Sequence, residues 1–224
     1  MFDGFTANDS LVIRVRDTIE NSIIRNELKP EMRLKETHIG QQLGISRAPV
    51  REALRFLESE GLVINRPRKG FTVAPLKLRQ ALDIYEVRLL LEGTMAAMAA
   101  TNADEDSIRE LQEIVASMNE AVSQGNVLAY IHSDIEFHRC IYKSTKNDVL
   151  IEMMNSLWKK CKRYLYVTNS QSGEMEDSVQ KHQRLADAII EGDAELARRI
   201  SLQSLEEAKQ LLVTSLRAAG IGDD

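Results

Sequence analysis

The sequence predicts a mostly α-helical chain: an N-terminal winged helix-turn-helix followed by an all-α antiparallel six-helix bundle. Three observations predict it. Apolar residues recur at helical spacing over most of the 224 residues, and two short β-rich runs around a Pro/Gly turn interrupt them at 62–73. The charge also changes sign between the two parts. Residues 1–76 carry 12 Lys and Arg against 10 Asp and Glu, whereas residues 77–224 carry 17 against 24. A basic segment on an acidic body fits a polyanion contact confined to one end.

From Leu11 to Leu28, the residues Val12, Val15, Ile19, Ile23 and Ile24 mark one face of a first helix, with Lys29-Pro30 as its stop. Glu36 to Leu43 reads as a short second helix with Ile39 and Leu43 inward, ended by Gly44. Ser46 follows as the N-cap of the third, bonding the amide of Ala48. Pro49 sits in the first turn, where an N–H lacks an intrahelical acceptor, and its fixed φ stiffens that turn. Val50, Ala53, Leu54 and Leu57 form the core face, and Gly61 ends the helix. Leu62–Asn65 and Phe71–Val73 then make a β-hairpin across Arg66-Pro67-Arg68-Lys69-Gly70.

Residues 75–77 read as a linker between domains at 1–74 and 78–224. Beyond it, helices are expected at 78–101, 104–123, 127–144, 147–168, 175–191 and 193–218. Asp104, Gly125-Asn126, Lys146-Asn147, Ser172-Gly173 and Gly192-Asp193 punctuate them, which predicts a bundle with short loops. The richest apolar run, Leu89 to Ala100, is broken by Glu92, Gly93 and Thr94, short of the roughly 18 residues of a membrane span. The opening MFDGFTANDS has neither the basic nor the apolar region of a secretory signal, and Cys140 and Cys161 have no redox or zinc-ribbon spacing. A cytoplasmic protein with reduced cysteines and no membrane partner is expected.

Arg47, Arg51 and Arg55 form a stripe beside the core face of the third helix. The N-terminal part of such a helix enters a major groove, where an arginine fork can bond guanine or grip phosphate. Taken alone, the stripe is also the ordinary solvated side of an amphipathic helix. Arg66, Arg68, Lys69 and Gly70 add cations and a glycine that permits close approach to a sugar-phosphate strand, although Pro67-Arg68-Lys69 is equally an ordinary turn. In the second part, Asp134 and His138 lie at i and i+4 on one helix face, and His182 comes from another helix. The three can converge on a cation or be unrelated polar groups. His132 faces the other way from Asp134, and His38 reads as surface.

The run KPEMRLKETHIGQQLGISRAPVREALRFLESEGLVINRPRKGFTV closely resembles the DNA-binding domain of GntR-family bacterial transcription regulators. The resemblance implies that Arg47 and Arg51 read bases and that Gly70 approaches the minor groove. Thr37, Ser46 and Arg55 fall where such domains touch phosphates, with Lys35 and Lys69 as looser matches. Tyr85-Glu86-Val87-Arg88 with Glu92, Asp134-Ile135-Glu136-Phe137-His138, Lys146-Asn147, His182 with Ala188-Ile189, and Gly192-Asp193 resemble the FCD effector domain of the FadR subfamily. Six helices place it nearer the VanR-type branch.

That resemblance implies a divalent metal, zinc first, on Asp134, His138, His182 and a further histidine of the last helix. Here the fourth position falls at about Ser204, and no histidine follows His182. A serine hydroxyl is a poor zinc ligand, so the site either completes its shell with water or effector or has lost the metal. Arg88, Asn147 and Ser204 are implied at an effector pocket. Arg88 would pair with a ligand carboxylate or, alternatively, with Glu92 one turn on. Tyr85, Trp158 and Arg163 line the cavity or are, respectively, two core aromatics and a solvated charge; Asn147 is otherwise a helix cap. The implied function is a ligand-responsive, homodimeric regulator that binds a palindromic double-stranded DNA operator and senses a small carboxylated metabolite. The alternative is a metal-dependent hydrolase with a basic accessory domain, although the chain shows no HExxH base, nucleophile elbow or phosphate-binding glycine loop.

Overall fold

The helical spacing of Val12, Val15, Ile19 and Ile23 folds the first stretch into α1 (Ala7–Ile24), which buries that face against the third helix. The computed structural model describes residues 7–169 and 173–222. Helix α1 stops before the expected Leu28 because Asn26 takes the left-handed conformation, φ 57°, ahead of Lys29-Pro30. Helices α2 (Glu36–Leu43) and α3 (Arg47–Ser59) are joined through Gly44, left-handed at φ 67°. A Cβ on the buried Gly40 would meet the Ile45 carbonyl oxygen at 2.9 Å, so this tight turn requires a glycine in the helix before it.

Two expectations are corrected here. Leu43 is 39% exposed, while Ile39 and Ile45 pack against the core. Ser46 takes the N-cap position, but its hydroxyl makes no capping bond. The third helical residue is Pro49, which removes one of the two amides such a cap can use. Val50, Ala53, Leu54 and Leu57 are all 0% exposed and close a core with α1, Leu34, Leu62, Phe71 and Val73.

Strands β2 (Val63–Arg66) and β3 (Gly70–Val73) form the wing hairpin, with Arg66 opposite Gly70. A strand the sequence reading missed, β1 (Arg33–Leu34), pairs with β3 to give the antiparallel order β1-β3-β2. Two residues are too few to show a period of two, so β1 exists only through its distant partner.

The chain divides into two compact units, Met1–Leu76 and Lys77–Asp224. The second holds α4 (Leu78–Asn102), α5 (Glu105–Ser123), α6 (Val127–Ser144), α7 (Asp148–Asn169), α8 (Glu174–Ile190) and α9 (Ala194–Ala218). Side-chain caps set four of these starts. Asp104 accepts from the Ser107 amide at 3.0 Å, Asn126 from Ala129 at 3.1 Å, Asn147 from Leu150 at 3.2 Å and Asp193 from Leu196 at 2.9 Å. Each such cap is worth about 1 kcal/mol. Ser172, part of the expected break before α8, lies outside the described residues.

Helix α4 packs most extensively along α9, and α5 lies against α6 and α8. At Gly93 the first two approach so closely that a Cβ would sit 2.7 Å from the Leu202 side chain. Cys140 and Cys161 are buried free thiols. Among the described residues, no helix is long and apolar enough to cross a membrane.

Candidate functional sites

On the first unit, β1, α2, α3 and the wing bound a recess of about 420 Å³. It gathers Arg47, Arg51 and Arg55 from α3 with Thr37, Lys35, Lys69 and Gly70, whereas Ser46, Arg66 and Arg68 do not line it. The Arg47 and Arg51 side chains are 61% and 49% exposed. Glu36, at the start of α2, holds both. Arg51 Nε donates to Oε1 at 3.0 Å and its Nη2 to Oε2 at 2.8 Å, while Arg47 Nη2 reaches Oε2 at 3.4 Å. The Arg51 hydrogen bond is the main cause that keeps the Glu36 carboxyl below its ordinary value, against a smaller upward push from burial. The carboxylate thus orients one arginine fork without hiding it. Sequence reading missed Glu36; its only signal was being the sole acid between Glu31 and Glu52.

In the second unit, α4, α6, α7, α8 and α9 surround a cavity of about 310 Å³. Asp134 and His138 stand one turn apart on α6, and His182 faces them from α8. His182 Nε2 lies 2.9 Å and His138 Nε2 4.0 Å from Asp134 Oδ1, and one ligand atom from each residue falls within 4.8 Å of the others. His182 Nδ1 is 2.7 Å from the Ser178 carbonyl oxygen, which can only accept, so Nδ1 carries the hydrogen there. In the neutral ring Nε2 then points a lone pair at a carboxylate oxygen. Only a cation, as a proton or a metal ion, satisfies that arrangement.

His138 Nδ1 faces Glu92 Oε2 at 3.7 Å. Burial pushes the His138 imidazole down to about 4, against the raising influence of Glu92 and Asp134, so at pH 7 it is neutral, the form that ligates a metal. Burial pushes the Asp134 carboxyl up, but the His182 hydrogen bond and the neighbouring positive groups outweigh it and leave it below its ordinary value. Phe137 stacks edge-on against His182 at 4.7 Å, and Trp158 lies 4.7 Å from the His138 ring, which restricts both imidazoles. One ionised carboxylate and two imidazoles suit zinc or a similar divalent ion.

Arg88 is 3% exposed. Its Nε donates to Glu92 Oε1 at 2.6 Å, and the guanidinium lies 4.8 Å from the Tyr85 ring and 4.4 Å from the Trp158 ring. Trp158 Nε1 donates to the Tyr142 hydroxyl at 2.6 Å. Burial pushes the Glu92 carboxyl up, yet Arg88 more than offsets this and leaves it lowered. Among the described residues, Arg88 Nη1 is buried without a hydrogen-bond partner.

Ser204 lines the cavity, together with Ser178 and Ser201, which sequence reading did not single out. Their signal was spacing, one turn before His182 and three residues before Ser204. Two expectations are corrected. Asn147 does not line the cavity; its carboxamide oxygen is committed to capping α7. Arg163 is buried rather than solvated and does not line it either. Tyr85 and Trp158 are core aromatics and cavity walls at once.

Residues 83–207 match the FCD domain, and residues 11–73 match the bacterial regulatory proteins of the gntR family. The HTH-type transcriptional regulator McbR of Escherichia coli is 28% identical over 201 residues, covering 88% of this chain and 90% of McbR. The solved structure of E. coli McbR agrees with a TM-score of 0.76 at 27% identity, over 91% of this chain and 97% of that one. A regulatory protein assigned to the L-lactate dehydrogenase operon of E. coli is 29% identical over 222 residues, 85% of this chain and 82% of that protein. A solved metal-free FCD domain of another regulator shares the fold at a TM-score of 0.52 and 18% identity, over 65% of this chain and 99% of that one. With the FCD match spanning more than half of its length, the chain belongs to the gntR-type bacterial transcription regulators that carry an FCD effector-binding domain.

Proposed function

We propose that this regulator binds a palindromic double-stranded operator as a homodimer, in the cytoplasm, and senses a small organic acid in the cavity of its second unit. The observation that carries the DNA reading is the exposed pair Arg47 and Arg51 sharing one recess with the wing residues Lys69 and Gly70. In this reading Arg47 and Arg51 bond base edges in the major groove, and Arg55, Thr37, Ser46 and Lys69 hold phosphates. Gly70, left-handed at φ 73° with open space where a Cβ would stand, lets the wing backbone approach the minor groove. Two-fold pairing places two recognition helices on half-sites about one helical turn apart. The relatives described above are transcription regulators, and the competing hydrolase reading finds no support in them.

The test is fluorescence anisotropy on the promoter region of its own gene across a salt series. Steep loss of affinity with salt and altered base preference in Arg47→Ala and Arg51→Ala are expected. If both variants bind as wild type does, with the same preference, the assigned readout is wrong.

The acid reading is supported by Arg88, whose buried Nη1 has no partner, and by the name of the L-lactate operon relative. Asp134, His138 and His182 would hold a divalent ion, zinc by preference, with Ser204 near the fourth position. The ion would supply positive charge for the ligand carboxylate. Glu92 and the Ser178 carbonyl orient the two imidazoles toward it. Elemental analysis of freshly purified protein tests this: about one zinc per chain, with chelation lowering Tm and added zinc restoring it, is expected. Metal-free protein whose Tm ignores added zinc would remove the metal from the reading. An acid that binds the DNA-competent and incompetent states unequally then shifts operator affinity by that difference.

A further inference from the structure

Helices α8 and α9 are consecutive, packed against each other and joined by a short turn at Gly192-Asp193. The turn holds them together at one end. At about 1.5 Å per residue, Lys181 stands roughly 14 Å along α8 from its end at Ile190, and Glu207 roughly 20 Å along α9 from its start at Ala194. Lys181 Nζ lies 2.7 Å from Glu207 Oε2, so the two helices are tied again far from the turn. Asp177 Oδ2, one turn before the lysine on its own helix, holds the same Nζ at 2.6 Å, and Gln203 Nε2 donates to the other Glu207 oxygen at 2.9 Å.

Asp177, Lys181 and Glu207 all line the cavity. Exposure sorts its lining into two tiers. Tyr85, Arg88, Glu92, Asp134 and Trp158 are buried, whereas the side chains of Asp177, Glu207 and Lys181 are 58%, 42% and 21% exposed. The tie between α8 and α9 therefore stands at the solvent end of the space, with the inner polar groups behind it. Ion pairs this exposed are weak, because water solvates each partner alone and salt screens their attraction. When this one opens, Lys181 keeps Asp177 and Glu207 keeps Gln203, so neither charge is left alone.

We propose that Lys181 gates this cavity: paired with Glu207 it holds α8 against α9 at the solvent end, and a ligand enters when that pair opens. The gate acts on access alone. It goes beyond the sensing reading above and does not depend on which ion or molecule the cavity takes.

The chain has a single tryptophan, Trp158, and it belongs to the buried tier of the lining. Collisional quenching of its fluorescence by acrylamide, followed by lifetime on the full chain without added ligand, therefore reads access. Lys181→Met and Glu207→Gln should each raise the quenching rate constant about 1.5- to 5-fold, the factor expected for losing an exposed ion pair, with Tm as the check on folding. Raising sodium chloride should do the same to wild type and not to Lys181→Met. Lys181→Glu combined with Glu207→Lys reverses the pair and should return the constant to near its wild-type value. Lys143→Met, which breaks an exposed tie between α6 and α5 at 3.4 Å, should leave it unchanged. The gate is overturned if Lys181→Met is quenched as slowly as wild type, if Lys143→Met rises as far, or if the reversed pair is no slower than the single variants.

Discussion

Each of the two candidate sites pairs arginine with glutamate, in opposite surroundings. Glu36 holds Arg47 and Arg51 at an exposed recess, and Glu92 holds Arg88 inside the helical unit. Near the surface, water screens the pair and solvates each partner alone, so the contact orients the arginines while leaving them free to leave for a polyanion. Inside, the two side chains are only 4% and 3% exposed, so bulk water does not solvate either partner alone. The charge must be matched there, and the donor without a match, Arg88 Nη1, becomes a demand on whatever fills the cavity. One pair is suited to exchange and the other to selection.

The largest effect expected is at the buried pair. Arg88→Met leaves the Glu92 carboxylate buried without its partner and should destabilise the second unit by about 3–5 kcal/mol in urea denaturation, while Arg88→Met with Glu92→Leu should recover most of that loss. A double variant as unstable as the single one would mean that packing, rather than the unpaired charge, governs the site.

Next comes the exposed side. Arg47→Ala and Arg51→Ala should each weaken operator binding by about 5- to 150-fold with the urea midpoint nearly unchanged, because their partner Glu36 can return to water. A midpoint shift as large as that of Arg88→Met would erase the contrast. Lys69→Ala, on the wing, should lower affinity evenly across operator sequences and reduce the salt slope by about one, read from the anisotropy series. A change in base preference would instead make Lys69 a reader.

The smallest effect expected is Glu36→Gln on stability. The folded Glu36 carboxyl is depressed, so its contribution is complete above the ordinary carboxylate value and is lost as pH falls through the lower folded value. The gap in urea midpoint between wild type and Glu36→Gln should be small at pH 7 and close as the pH falls through that window. A gap that widens in acid would mean Glu36 is not the ionised partner of the arginines.

Much of this was legible in residue order. The core faces of α1 and α3 and the six helices of the second unit follow from periodicity, and Asp104, Asn126, Asn147 and Asp193 mark their own helix starts because capping is a local interaction. What failed depended on distant partners. Strand β1 has two residues and no pattern of its own, the stop of α1 lay with Asn26 rather than with Pro30, and Leu43 is turned out although its spacing pointed in. Glu36 and Glu92 are ordinary acids in a sequence, and only placement beside arginines gives them their roles.

By itself, the sequence determined the order of elements, the helix faces, the charge difference between the two parts and the sharing of one helix face by Asp134 and His138, since spacing along a helix dictates which side chains share a face. Only the tertiary structure decided which groups share a cavity, that His182 joins Asp134 and His138, which arginine keeps a spare donor, and that Ser201 and Ser204 line the same cavity. Burial and partnership are properties of packing between helices far apart in the chain, and no local pattern encodes them.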